Sequence, residues 1–188
     1  VKFGIGAALF AATGSVSVLA ADSYTIDPAH TFPGFEVNHL GLSNLRGTFN
    51  ATSGKIVLDP GGSAGRIETI IDMSSVTTGH ARRDEHLRKA DFFDVVKYPV
   101  MSFQSNRLKY NGSDLQSAEG ELTLHGVTRP VTLTMTHFNC AVNPINKKPT
   151  CGGNAIATIK RSEFGINAYV PAISDEVKIS IEVEATKD

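Results

Sequence analysis

The chain has no tryptophan, three methionines and only two cysteines in 188 residues. Past Ala20 it contains no apolar run near the roughly 18 residues that a membrane-crossing helix needs. It also lacks a glycine-rich phosphate loop, a GxSxG elbow, a CxxC pair and an HExxH helix. Those absences remove the signatures of four common enzyme classes. With 18 Lys and Arg against 19 Asp and Glu, there is no basic face for nucleic acid either. Metal-ligand spacing is missing as well: His30 and His39 stand nine apart and His80 and His86 six apart, so neither pair falls on adjacent strand or helix positions. No metal is expected. Ser162, Asp175 and a histidine can be drawn as a catalytic triad, but no elbow or strained turn is there to activate the serine, and no catalytic residue is assigned.

What is present begins with VKFGIGAALFAATGSVSVLA, residues 1–20, where a single charge at Lys2 precedes an apolar run ending in small residues. Val18 and Ala20 are placed as in an A-x-A cleavage site, so this segment reads as a signal peptide and the mature chain begins near Ala21, outside the cytoplasm. Without Lys2, 17 basic residues face 19 acidic ones, a net charge of −2. Cys140 and Cys151 enclose the ten residues AVNPINKKPT. In an exported chain that spacing predicts a disulfide. The alternative, a zinc pair, needs two more ligands and finds only His137 nearby.

Period-two alternation dominates the remainder. Val177, Ile179, Ile181 and Val183 alternate with Lys178, Ser180, Glu182 and Glu184, the pattern of a strand with one buried and one wet face. Ile67 to Met73, Met101 with Phe103, Leu122 with Leu124, and Val131, Leu133 and Met135 repeat it. Turn clusters PGGSAG, YNGSD, HGVTRP and NPINKKP separate these runs. ARRDEHLRKADFF, Ala81 to Phe93, breaks the rule: Asp84 lies four before Arg88 and Glu85 four before Lys89, which predicts a short helix with a Phe92-Phe93 anchor. One all-β domain over 21–188 follows, either a sandwich or a barrel. The Ile- and Val-rich C-terminal strand carries few edge-blunting devices and favours the barrel, whose eight-stranded form has room for one small apolar ligand.

Among the cations, Arg46, Arg82, Arg83, Arg88 and Lys97 fall near aromatic segments, where a cation can hold a polar head while phenylalanines face a tail. For Arg82, Arg83 and Arg88 a solvated helix face explains the charge equally well; Arg46, between Leu45 and Gly47, is read as functional.

YTIDPAHTFPGFEVNHLGLSNLRGTF, GHARRDEHLRKADFFDVVKYPVMSF, GELTLHGVTRPVTL and KRSEFGINAYVPAISDEVKISIEVEA together resemble, in order and spacing, the YceI family of bacterial polyisoprenoid-binding proteins, over about Ser23 to Ala185. The resemblance implies an extended, lipocalin-like, eight-stranded antiparallel barrel with a short inserted helix. It also implies a periplasmic binding protein that is not an enzyme and needs no cofactor beyond its bound polyisoprenoid or isoprenoid quinone. The absent tryptophan separates the chain from true lipocalins, whose Gly-x-Trp it lacks. The partners expected are a long-chain isoprenoid lipid, a membrane surface touched transiently and a second copy of the chain, with no nucleic acid.

Burial of each CH₂ is worth about 0.8 kcal/mol, so such a site needs depth more than chemistry. Alternation offers Phe35 and Val37, then Leu40, Leu42, Leu45 and Phe49, with Phe92, Phe93, Met101, Phe103, Phe164 and Ile166 as further contacts, about half of them ligand-facing and the rest core. His39, Arg46, Arg82, Lys97, Arg161 and Asp175 are the candidates for a head group at the mouth. Pro33, Gly34 and Gly41 predict that the stretch from His30 to Phe49 is a bent strand followed by a rim loop.

Overall fold

The computed structural model describes residues 21–59 and 65–188. The apolar segment read as a signal peptide, and most of the PGGSAG turn, lie outside the described residues. The strands are β1 (Asp22–Ile26), β2 (Phe32–His39), β3 (Ser43–Phe49), β4 (Thr52–Leu58), β5 (Arg66–Asp72), β6 (Val76–Thr77), β7 (Val100–Asn111), β8 (Asp114–Leu124), β9 (Val127–Val142), β10 (Pro149–Lys160) and β11 (Ile173–Lys187). Among the described residues one α-helix, α1 (Ala81–Leu87), sits between β6 and β7. Alternation produces these strands as the sequence predicts: along β11, Lys178, Ser180 and Glu182 are exposed while Val177, Ile179, Ile181 and Val183 turn inward. Apolar side chains inside and polar ones outside are the reverse of a membrane-spanning barrel.

Every strand pair is antiparallel, and the two ends of the sheet meet. β11 pairs with β10 on one side and on the other with both β1 and β2, setting Tyr24 opposite Lys187 and Phe35 opposite Ile179. β1 with β2, β3 with β4, and β5 with β6 are successive halves of single staves, since β1 pairs β4 while β2 pairs β3, and β4 pairs β5 while β3 pairs β6. The result is a closed up-and-down barrel of eight staves with one short helix.

Three neighbouring staves break at one level, at Asp27–Thr31, at Asn50 and Ala51, and at Met73–Ser75. Local polar groups close each gap. The Thr31 hydroxyl exchanges hydrogen bonds with the Glu184 carbonyl and amide, both at 3.3 Å, and the Ser75 hydroxyl accepts from the Asn50 and Ala51 amides at 3.1 Å. The predicted bend at Pro33 and Gly34 is therefore displaced. Both residues sit within β2, opposite Ile181 and Ser180, and the interruption precedes them. Gly41, with φ +72°, does form the rim turn between β2 and β3.

The helix is shorter than its sequence period suggests. It stops at Leu87, and the chain turns back so that the Phe93 amide bonds the Leu87 carbonyl at 3.0 Å, which swings Phe92 and Phe93 towards the barrel. Glu85 pairs with Lys89 at 3.3 Å as predicted. Asp84 and Arg88 instead tie α1 to the sheet: Asp84 accepts from the Thr78 amide at 2.8 Å, and Arg88 donates to the Ser74 and Val76 carbonyls. Arg88 is thus a structural tether and not part of a solvated face.

Two buried clusters flank the interior. One gathers Phe49, Met73, Val76, Leu124 and Phe164 at the helix end, and the other Tyr24, Ile26, Leu58, Cys151 and Ala185 at the opposite end. At that second end Cys140 and Cys151 stand directly opposite in the β9–β10 hairpin and form a disulfide, with Cα atoms 4.0 Å apart. Closing so short a loop contributes about 2–3 kcal/mol. Reduction, or the double Cys140→Ala, Cys151→Ala change, is expected to lower stability by that amount in urea titration. Burial pushes the Asp84 carboxyl pKa up, but its hydrogen bonds from Thr78 and Thr77 outweigh this and leave it below the ordinary 3.8. A folded pKa below the unfolded one gives stability that is complete above the unfolded value and lost as pH falls through the folded one. Asp84→Asn should therefore lower the urea midpoint at neutral pH and make the acid limb below about pH 4 shallower; an unchanged limb would show that Asp84 does not contribute to it.

Candidate binding site

Inward side chains do not fill the barrel. A cavity of ≈ 460 Å³ occupies the half beside α1, and a second of ≈ 130 Å³ the half beside the disulfide. The larger one opens at the rim formed by the β2–β3 turn and the loop before β11, where Leu40 and Tyr169 line it and are 54% and 57% exposed. The Leu40 amide donates to the Ala172 carbonyl at 2.9 Å, joining the two sides of this rim.

Of the apolar residues predicted as contacts, Phe35, Val37, Leu40, Leu45, Phe49, Phe92, Phe93, Met101 and Ile166 line the larger cavity. Phe103 lines only the smaller one. Leu42 points away, 82% exposed on the outside of the rim, because it follows the turn at Gly41. Phe164 lines neither cavity; it is 1% exposed in the core beneath the turn after β10. Phe35, Phe49 and Phe93 meet with ring centroids 5.6 to 6.3 Å apart, tilted or edge-on, the geometry that ring quadrupoles favour. Phe35 also lies over Gly47, its cross-strand partner, where any Cβ would fall within the ring. This glycine lets an aromatic ring lie along the wall.

Basic side chains face the larger cavity: among the described residues His39, Arg46, Arg83, His86 and Arg161 line it, and no carboxylate does. The acids that balance them sit behind: Glu36 accepts from Arg46 Nε at 2.7 Å, and Asp91 is 2.8 Å from His86 Nε2. Those bonds hold the Glu36 and Asp91 carboxyls below their usual range. Arg83 donates to the Thr78 hydroxyl and carbonyl, so it belongs to the cavity wall and not to a solvated helix face. His86 packs edge-on to Phe92, which stacks on Tyr169.

Arg161 is the most deeply buried of these basic residues, 6% exposed. Its Nε, Nη1 and Nη2 donate to the carbonyls of Ser174, Ile166 and Ile173 at 2.9, 3.0 and 2.9 Å. Burial pulls its pKa down and the nearby Asp175 pulls it back. Of the other proposed head-group ligands, Arg82 is exposed off the cavity and Lys97 lies over the Tyr98 ring at 5.0 Å. Asp175 accepts from the Ser162 amide and hydroxyl, both at 2.8 Å, and faces no cavity. The Ser162 hydroxyl is thereby committed as a donor to Asp175 in a turn-capping clamp.

Sequence reading overlooked Thr78, Leu87, Ile159, Tyr169, Ala172, Ile173, Val177 and Ile179 as parts of this lining. Alternation through Ile159 and Arg161, and from Val177 onward, carried the signal for the strand residues. Tyr169 sits in an aperiodic loop with φ +60° and had none.

An eight-stave antiparallel barrel enclosing an open, largely apolar chamber is the architecture of a small-ligand binding protein. The YceI-like domain matches residues 24–185, and the chain belongs to that family. Protein YceI of Escherichia coli O17:K52:H18 is 40% identical over 174 residues, which span 91% of this chain and 90% of that one. Among solved structures, BcnA of Burkholderia cenocepacia superposes with a TM-score of 0.73 at 25% identity, covering 86% of this chain and 99% of its own. A polyisoprenoid binding domain from Saccharophagus degradans, implicated in plant cell wall breakdown, shares the fold with a TM-score of 0.65 at 18% identity, covering 88% and 98%.

Replacing Arg161 with Met would leave three carbonyls without their donor. A loss of about 2–4 kcal/mol in unfolding free energy is expected. A loss below about 1 kcal/mol would mean that water takes over the three bonds.

Proposed function

We propose that this chain is a binding protein, not an enzyme, that holds a long-chain isoprenoid lipid of the quinone or prenyl phosphate type inside its barrel, for sequestration or transport in the periplasm. The observation that carries this reading is the unfilled apolar interior. Val177, Ile179, Ile181 and Val183 face inward yet stay only partly buried, because the space in front of them holds no side chains. The larger chamber's ≈ 460 Å³ falls in the usual range for small-molecule sites, about 300–1,000 Å³. Each methylene transferred into it from water is worth about 0.8 kcal/mol, so affinity requires no reactive group.

The name of the polyisoprenoid binding domain that shares this fold supports the ligand class. The disulfide supports an oxidising compartment, in keeping with the export segment read at residues 1–20. Leu40, Leu42, Tyr169 and Val170, exposed around the mouth, support transient contact with a membrane surface from which an apolar ligand could be taken.

Protein purified from a bacterial host should carry a long-chain lipid at near-stoichiometric level, detected by mass spectrometry of an organic extract. An extract without such a lipid would refute the reading. Phe35→Glu should reduce the retained lipid at least about tenfold while changing soluble yield little, since Phe35 is only half-buried against the cavity. Equal losses of lipid and yield would make it a core residue.

A further inference from the structure

The two chambers differ in chemistry as well as size. Among the described residues, five basic side chains line the outer one, whereas no charged side chain lines the inner one. Of the inner hydroxyls, Thr31 donates to the Glu184 carbonyl and Thr69 to the Phe103 carbonyl, which leaves Thr52 Oγ1, buried and unpartnered, and the Tyr24 phenol. Two neutral hydroxyls cannot replace the hydration of a charged head group. A lipid entering this barrel therefore puts its head among the outer cations and its hydrocarbon end inward.

Between the chambers stand four residues that line both: Pro33, Met101, Leu122 and Ile179. Pro33 and Ile179 come from the adjacent β2 and β11, Met101 and Leu122 from the adjacent β7 and β8 on the opposite side of the barrel. The two pairs therefore face one another across the interior where the two chambers meet, at a level we call the waist. Leu122 and Met101 are 6% and 9% exposed and packed into the wall cluster. Beyond the waist the wall is built partly of small residues, Ala118, Gly153, Ala155 and Ala185, which is what leaves room there at all.

We infer that the chamber beyond this waist is a separate subsite for the apolar terminus of the ligand, and that it makes the protein select by chain length. Short chains end in the outer chamber. Longer ones thread between Pro33, Ile179, Met101 and Leu122 and gain the inner surface. The inference rests on the lipid-binding reading above.

The test uses delipidated mature protein and all-trans prenyl alcohols from geraniol to solanesol, competed pairwise in native mass spectrometry. The wild-type protein should bind progressively more tightly as the chain lengthens past the waist. Ala155→Leu, which fills the inner chamber and leaves the outer one intact, should weaken only the longer alcohols, about tenfold or more, and leave the shortest binders unchanged. If Ala155→Leu fails to fold, Ala155→Val makes a smaller intrusion with the same expected pattern. Identical length dependence in variant and wild type overturns the subsite while leaving lipid binding intact. A wild-type protein that binds none of the alcohols overturns the lipid-binding reading as well.

Discussion

The pairing of β11 with two different segments on the same edge governs the structure. An open eight-stave sheet would expose two edges and could flatten onto a second layer. Here the C-terminal half of β11 holds β1 and its N-terminal half holds β2, so neither edge remains free. Closure fixes the diameter, and with the diameter fixed, the size of the inward side chains decides whether the interior is core or cavity. The short break between β1 and β2 is what lets one edge strand follow the curvature of β11 along its whole length. Across that break the Glu184 carbonyl accepts from the Asp27 amide and the Thr31 hydroxyl, and the Glu184 amide donates to the same hydroxyl.

The breaks lie near the residues that line both chambers. Pro33 follows the first interruption by two residues, and Ile71, two before the last, lies opposite Met101. The staves that bend are therefore among those that carry or adjoin the residues where the interior narrows. The same kinks bring β6 and α1 over the larger chamber, where Asp84, Arg83 and Arg88 anchor the helix through Thr78, Ser74 and Val76.

Much of this was legible in the chain. Strands with inward Ile, Val and Leu could be read from a period of two because closure leaves each one wet face and one dry face, and alternation is the direct record of that. The Cys140–Cys151 hairpin and the opening aromatic stretch were legible for similar local reasons. What alternation could not show was which dry positions meet a neighbour and which meet empty space. Phe164 and Ile166 have the same polarity and are two residues apart, yet only Ile166 reaches the cavity. Leu42 reads as apolar as Leu45 but follows the turn at Gly41 and faces outward. The helix was overextended because its ion-pair spacing continues past Leu87, while the residues that end it act through tertiary contacts: Phe92 and Phe93 turn towards the barrel. Arg83 and Arg88 were ambiguous for the same reason, since a cation bonded to a carbonyl and a solvated cation have the same sequence signature.

An unfilled interior carries a thermodynamic consequence. Side chains that face empty space forfeit dispersion contacts they would have in a packed core, so this barrel holds its shape with less interior packing than its size permits. The compensating ties lie at the two ends: the disulfide and the Tyr24 cluster at one, and the Arg161 guanidinium gathering three carbonyls with the helix anchors at the other. Between them the wall is held chiefly by backbone pairing, which is indifferent to what fills the middle. An occupant that supplies the missing contacts binds the folded state and not the unfolded one, and stabilises it in proportion to the logarithm of its concentration over its dissociation constant. Rigidity at the ends and a middle free of side chains are thus one arrangement: larger inward residues that would pack the barrel would remove the space that a ligand needs.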